Sequence, residues 1–144
     1  VAIRYWLCAL PRDRVLTSVA RGVLALPLEF RDVMAAAGES DGVVCYSARA
    51  RAGDPERIQE FTAIGRFADA VPLRSANAWQ RRIDWDHAAV PVGLRPVARS
   101  LDGAEDMYAW GRRLREGLVE MSRGDFEVLW RQMRPDPPDE RRYR

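Results

Sequence analysis

Lysine is absent from this chain: all 23 basic residues are arginine, set against 21 acids for a formal net charge of +2. Avoidance of one cation alongside abundant alanine reads as compositional bias. The guanidinium supply therefore marks no nucleic-acid surface by itself, and most of these arginines are expected to be solvated. Cysteine is scarce too. Cys8 and Cys45 are too few for a disulfide scaffold, and both stand in apolar runs where a thiol behaves as a small hydrophobe, which points to a reduced, cytoplasmic setting. His87 is the one histidine, so a four-ligand zinc site would need unusual carboxylate help, and Ser18 and Ser47 lack the partners of a hydrolase triad. Glycine-rich phosphate loops are missing, and no metal or cofactor is expected. No apolar run approaches the roughly 20 residues that cross a bilayer, and residues 1–10 lack the architecture of a cleavable signal, so neither a membrane partner nor a targeting segment is expected.

What is present suffices for one core: 144 residues, 47% of them hydrophobic, fit a single domain. Residues 2–10 read as a strand ending at Pro11. Asp13 then offers a helix-capping carboxylate, and Val15, Leu16, Val19, Val23 and Leu24 recur at helical spacing, predicting a first helix to about residue 25. Phe30, Val33 and Met34 predict one or two further helical turns before the polar turn at 38–42. Strands are predicted over 42–48 and 58–69, joined by an exposed loop carrying Gly53-Asp54-Pro55. A further strand spans 77–85, where Trp79, Arg81, Ile83 and Trp85 alternate with Gln80, Arg82 and Asp84, and 89–94 supplies a short strand or edge. From about residue 106, Met107, Trp110, Leu114, Leu118 and Met121 make a helical stripe. Ser122 and Asp125 form a capping signal before Phe126, Leu129, Trp130 and Met133, which sit at i, i+3, i+4 and i+7. The prolines at 135, 137 and 138 end that helix, giving a domain over 1–134 and a tail over 135–144 expected to be disordered.

Three short apolar strands carry the most information: Tyr5-Trp6-Leu7-Cys8, Val43-Val44-Cys45-Tyr46-Ser47 and Phe61-Thr62-Ala63-Ile64-Gly65-Arg66. Together with Asp13-Arg14-Val15, Arg81-Arg82-Ile83-Asp84, Arg95-Pro96, Trp110-Gly111 and the run from Arg115 through Gly117, Glu120-Met121-Ser122 and Asp125-Phe126, they resemble the EVE domain family of PUA-like proteins, related to YTH and ASCH domains. Order and spacing agree through Met133. The resemblance implies an α+β fold: a PUA-like β pseudobarrel flanked by helices, with C-terminal helices. It also implies a non-catalytic module that binds DNA or RNA and receives a nucleobase, often a modified one, at the barrel mouth. That task needs aromatic faces for stacking, polar groups to read a base edge and cations for phosphate. Trp6, Tyr46 and Trp79 are the aromatic candidates, Ser47 and Asp13 the edge-reading ones, and Arg81 with Arg82 the phosphate contacts. Trp6 and Tyr46 can equally be core, and Asp13 can merely cap a helix. Some positions depart from the family: Leu28-Glu29-Phe30 stands where many members have His-Gly-Lys, Gly42 where a tryptophan is usual, and Arg14 where a histidine is.

Two other readings stay open at this level. An enzyme of nucleotide or nucleic-acid metabolism would use His87, oriented by Asp84 or Asp86, or an acid pair as general base. An interaction scaffold would present the Phe126, Leu129, Trp130 and Met133 stripe to a partner, although such stripes are more often core; without that contact the chain would be a monomer.

Overall fold

The computed structural model describes residues 2–102 and 117–135. Eight strands form one curled sheet, a half-barrel with helices on both faces. They are β1 (Tyr5–Ala9), β2 (Val23–Pro27), β3 (Gly42–Ser47), β4 (Glu60–Phe67), β5 (Leu73–Ser75), β6 (Ala78–Trp85), β7 (Val92–Gly93) and β8 (Leu118–Met121). Their order across the sheet is β2-β6-β4-β3-β1-β8, with β5 added to β6 and β7 to β4. The helices are α1 (Arg12–Arg21), α2 (Arg31–Ala36), α3 (Leu94–Ala98) and α4 (Arg123–Gln132), and a 3-10 turn at Leu28–Phe30 leads into α2. This is the α+β pseudobarrel architecture expected from the sequence. The three informative strands supply its centre: β1 runs parallel to β3, and β3 antiparallel to β4.

Side-chain alternation divides the apolar residues between the two sheet faces. The inner face gathers Trp6, Cys8, Val43, Cys45, Ala63, Phe67, Ile83 and Trp85, closed over by Val15 of α1 and Met34 of α2. The outer face gathers Leu7, Val44, Tyr46, Phe61 and Ile64 under Leu94 and Val97 of α3 and Phe126, Leu129 and Met133 of α4. Ser122 caps α4 as its spacing predicts, its Oγ accepting the Asp125 backbone N–H at 3.1 Å, a contact worth about 1 kcal/mol. The stripe that a scaffold would present is thus largely consumed by the fold: Phe126, Leu129 and Met133 are buried, with only Trp130 at the margin.

Two predicted helical stretches are strands instead. The first helix stops at Arg21 because Gly22, at φ 70°, takes the left-handed cap and its N–H returns to the Ser18 and Val19 carbonyls. Val23–Pro27 then pairs antiparallel with β6, and Leu24 and Leu26 point inward. Val19 and Val23 share helical spacing only by coincidence of a helix meeting a strand. Likewise Leu118 and Met121 belong to β8, opposite Cys8 and Tyr5 of β1. The rest of that stripe, at Met107, Trp110 and Leu114, and the tail from 136 onward lie outside the described residues. Asp13 is not the cap of α1. Pro11 holds that position, and Asp13 sits in the first turn with its Oδ1 accepting the Arg14 N–H at 2.8 Å.

Candidate functional site

β1 and β3 end on the same side of the sheet, since β3 parallels β1 and Ala9 pairs with Tyr46. The chain leaves β1 there through Leu10, whose N–H reaches the Tyr46 carbonyl at 3.1 Å, and enters α1. The first N–H groups of a helix have no partner within it. Here Arg12 and Asp13 donate theirs to the Arg49 and Ala50 carbonyls, each at 3.0 Å, which ties the start of α1 to the loop after β3. Asp13 and Ser47 are thereby brought to one end of the half-barrel.

Two polar features of the half-barrel face inward, the first of them at that end. The β3–β4 register shifts between Cys45 and Tyr46, so that Cys45 pairs with Ala63 and Tyr46 with Phe61, leaving Thr62 as the extra residue of a bulge. Its hydroxyl lies 2.8 Å from Ser47 Oγ, with either atom able to donate. Ser47 follows Cys45 by two and is fully buried, so this pair of hydroxyls belongs to the inner face. The second is Trp85, the last residue of β6, which pairs with Gly65 and so lies level with Val43 and Trp6, deeper along the sheet than Ser47. It is only 3% exposed, and its indole N–H has no hydrogen-bond partner among the described residues. A buried donor left unpaired costs about 1–3 kcal/mol. The residue was available to sequence reasoning, because it continues the Trp79, Arg81, Ile83 alternation; the signal lay in asking what its N–H would bond.

The remaining candidates lie elsewhere. Trp6 is inner-face core at the same level of the sheet as Trp85, its indole N–H donating to Asp41 Oδ2 at 3.0 Å. Asp41 is itself buried and also accepts from the Gly38 and Arg4 N–H groups at 2.8 and 3.0 Å. Arg4 covers the Trp6 ring at 4.6 Å and pairs with Glu120 at 2.6 Å, which holds the Glu120 carboxyl below its ordinary range. Tyr46 stands on the outer face with its ring 5.4 Å from Phe61. Burial pushes its phenol up, against smaller opposing effects of Arg57 and Gln59. Trp6, Tyr46 and Trp79 therefore do not line one cavity.

The two adjacent arginines divide in the same way. Arg81 is fully buried: Nε reaches Asp69 Oδ1 at 2.5 Å, Nη1 the Met34 and Ala37 carbonyls at 2.7 Å each, and Nη2 the Asp69 carbonyl at 2.6 Å. Its cation is spent on holding α2 and the 68–70 loop to β6, leaving Arg82 as the exposed member of the pair. Trp79 is half-buried at the opposite end of β6, with the Arg31 guanidinium 5.5 Å from its ring. His87 is exposed in the turn after β6. Asp86 there accepts the Ala88 N–H at 3.0 Å, capping the turn rather than orienting the imidazole. Among the described residues, no group of three His, Cys, Asp or Glu side chains could hold a metal ion. No helix among them is long and apolar enough to cross a membrane.

Fold and site together define a small α+β half-barrel protein with an inward-facing polar end. The chain belongs to the UPF0310 family. A UPF0310 protein of Mycobacterium avium (strain 104) is 36% identical over 95 residues, covering 62% of this chain and 67% of that protein. A second, from Renibacterium salmoninarum, is 27% identical over 129 residues, covering 87% and 91%. No protein-family model matches the chain. Among solved structures, a hypothetical protein from Leishmania major superposes with a TM-score of 0.59 at 12% identity, covering 99% of this chain and 98% of that one. Protein Atu2648 from Agrobacterium tumefaciens gives 0.59 at 15%, covering 94% and 97%. At such identities the likeness is one of fold.

Proposed function

We propose that the chain is an EVE-like module of the PUA superfamily that receives a nucleobase of DNA or RNA, often a modified one, at the mouth of its half-barrel, without catalysing a reaction on it. The observation that carries this reading is the unpartnered Trp85 indole N–H, buried on the inner face deeper along the sheet than Ser47. A base offers what that donor lacks, a carbonyl oxygen or ring nitrogen held in a flat, apolar frame. The Ser47 and Thr62 hydroxyls can each turn from donor to acceptor, which suits them to a base edge presenting either. Asp13 at the rim is exposed and accepts only, which fits an exocyclic amino group. Arg82 supplies a surface cation for the phosphate backbone.

The test is equilibrium titration of the protein with single-stranded DNA and RNA carrying methylated cytosine or methylated adenine, beside unmodified strands, at two salt concentrations. Tighter binding to one modified strand that persists at the higher salt supports the reading. Equal weak binding to all strands, vanishing as salt rises, would leave only charge attraction and overturn base recognition.

A further inference from the structure

We infer that Trp79, Arg31 and Arg74 form a second nucleic-acid contact at the far end of β6, a stacking and phosphate platform for nucleotides that flank the base in the mouth. The inference rests on the proposed function for the identity of its ligand. Its own basis is the way β6 is flanked. Arg81, Ile83 and Trp85 share a face with Trp79 and are all buried, whereas Trp79 is not. The difference arises because β4 pairs with β6 only from Ile83 to Trp85. Beyond that point β6 is flanked by β2 and the short edge strand β5, so the sheet opens and Trp79 emerges at its margin.

Two arginines border that indole. Arg74 is its direct cross-strand partner on β5, and Arg31, the first residue of α2, places its guanidinium 5.5 Å from the ring centroid. Both arginines are exposed, and among the described residues neither is in an ion pair. Of the three other guanidinium–aromatic contacts among the described residues, two are already committed: Arg4 over Trp6 is tied to Glu120, and Arg81 over Phe67 to Asp69, while Arg134 over Trp130 lies at the C-terminal end of α4 with no cross-strand arginine beside it. An aromatic face flanked by uncommitted guanidinium groups suits a single strand, whose bases stack and whose phosphates need cations. Trp79 precedes Trp85 by six positions on one strand, about 20 Å at 3.3 Å per residue. A lone nucleoside in the mouth cannot touch both, whereas an oligonucleotide can.

The experiment compares two kinds of ligand on the full chain and its variants: free methylated nucleosides, and an oligothymidylate of about ten nucleotides, within the site sizes such platforms cover. Trp79→Ala should weaken oligothymidylate binding about 5- to 100-fold and Trp79→Phe much less, since any ring can stack. Arg74→Ala should lower the slope of log affinity against log salt by about one phosphate contact. Nucleoside binding should be unchanged by all three. Because Arg74 is exposed, its variant carries the test if Trp79→Ala fails to fold. The platform is overturned if oligothymidylate affinity and salt slope are the same in all variants, or if polyglutamate of matching charge competes as well as the oligonucleotide does. Failure of the mouth reads differently: no nucleoside or modified strand binds with preference, while the Trp79-dependent affinity for oligothymidylate remains.

Discussion

Trp6 and Tyr46 lie on adjacent parallel strands and point to opposite faces of the same sheet. Trp6 belongs to the inner cluster beneath α1 and α2, and Tyr46 to the outer one beneath α3 and α4. Each aromatic is core, and each has a polar end that the fold handles differently. The indole N–H of Trp6 is satisfied by Asp41, whereas the phenol of Tyr46 is held neutral by burial.

That difference gives a pH dependence. The Tyr46 pKa is raised above its ordinary value, so the folded state holds the phenolic proton more tightly than the unfolded one. The associated stability is intact below the unfolded value of about 10 and is lost as pH rises through the folded one. Cys45 shifts in the same direction, through its contact with Cys8 and then its burial, and adds to alkaline sensitivity. Because the chain has no lysine, side-chain titration in this range comes from tyrosine and cysteine alone. Denaturation followed from neutral to alkaline pH should show stability falling, with a shallower fall in Tyr46→Phe. Tyrosinate absorbance should show a late component before unfolding that Tyr46→Phe removes.

Arg81 and Asp69 predict a large loss of stability from a small change. The guanidinium is fully buried and the carboxylate about one-fifth exposed. Asp69→Asn keeps the shape but leaves the buried cation unbalanced, and removal of one partner from a buried pair costs about 3–5 kcal/mol. Urea denaturation should show that loss, while Arg82→Ala, at the exposed neighbouring position, should change stability by no more than about 0.5 kcal/mol.

Backbone conformation and close contact set opposite signs for glycine substitutions. Ala76 sits at the tip of the β5–β6 hairpin with φ 48°, where a side chain is disfavoured. Ala76→Gly should stabilise the protein by about 1 kcal/mol. Gly42 is the reverse case: a Cβ there would lie 2.7 Å from both Phe126 Cζ and Tyr5 Cδ1, whose rings are 4.7 Å apart across it. Gly42→Ala should destabilise by about 1–3 kcal/mol through overpacking. Thermal melts of the two variants should move in opposite directions.

Much of the fold was legible because β1, β3, β4 and β6 combine strand propensity with clear boundaries, and because Ser122 and Asp125 mark the start of α4. What misled was spacing shared by two geometries. Val19 and Val23 fall at i, i+4 although Gly22 breaks the helix between them, and Leu118 and Met121 fall at i, i+3 although β1 recruits them as an edge strand. The candidate site was less legible. Alternation along Trp79–Trp85 puts Arg81 on the apolar face and Arg82 on the polar one, but it does not say whether the inward cation is free for phosphate or spent within the fold. That is decided by Asp69 and by the Met34 and Ala37 carbonyls, which are distant in sequence. Nor does a strand pattern reveal that Trp85 lacks an acceptor, since that depends on everything packed around it.

The measurement that tests the central claim most directly is the indole N–H resonance of Trp85 in heteronuclear NMR, identified among the five tryptophans by its loss in Trp85→Phe. Titration with single strands carrying methylated cytosine or adenine should shift that resonance downfield in step with binding, as the unpartnered donor gains an acceptor, and the Trp6 resonance should move little. Saturable binding with the Trp85 resonance unmoved would contradict the account.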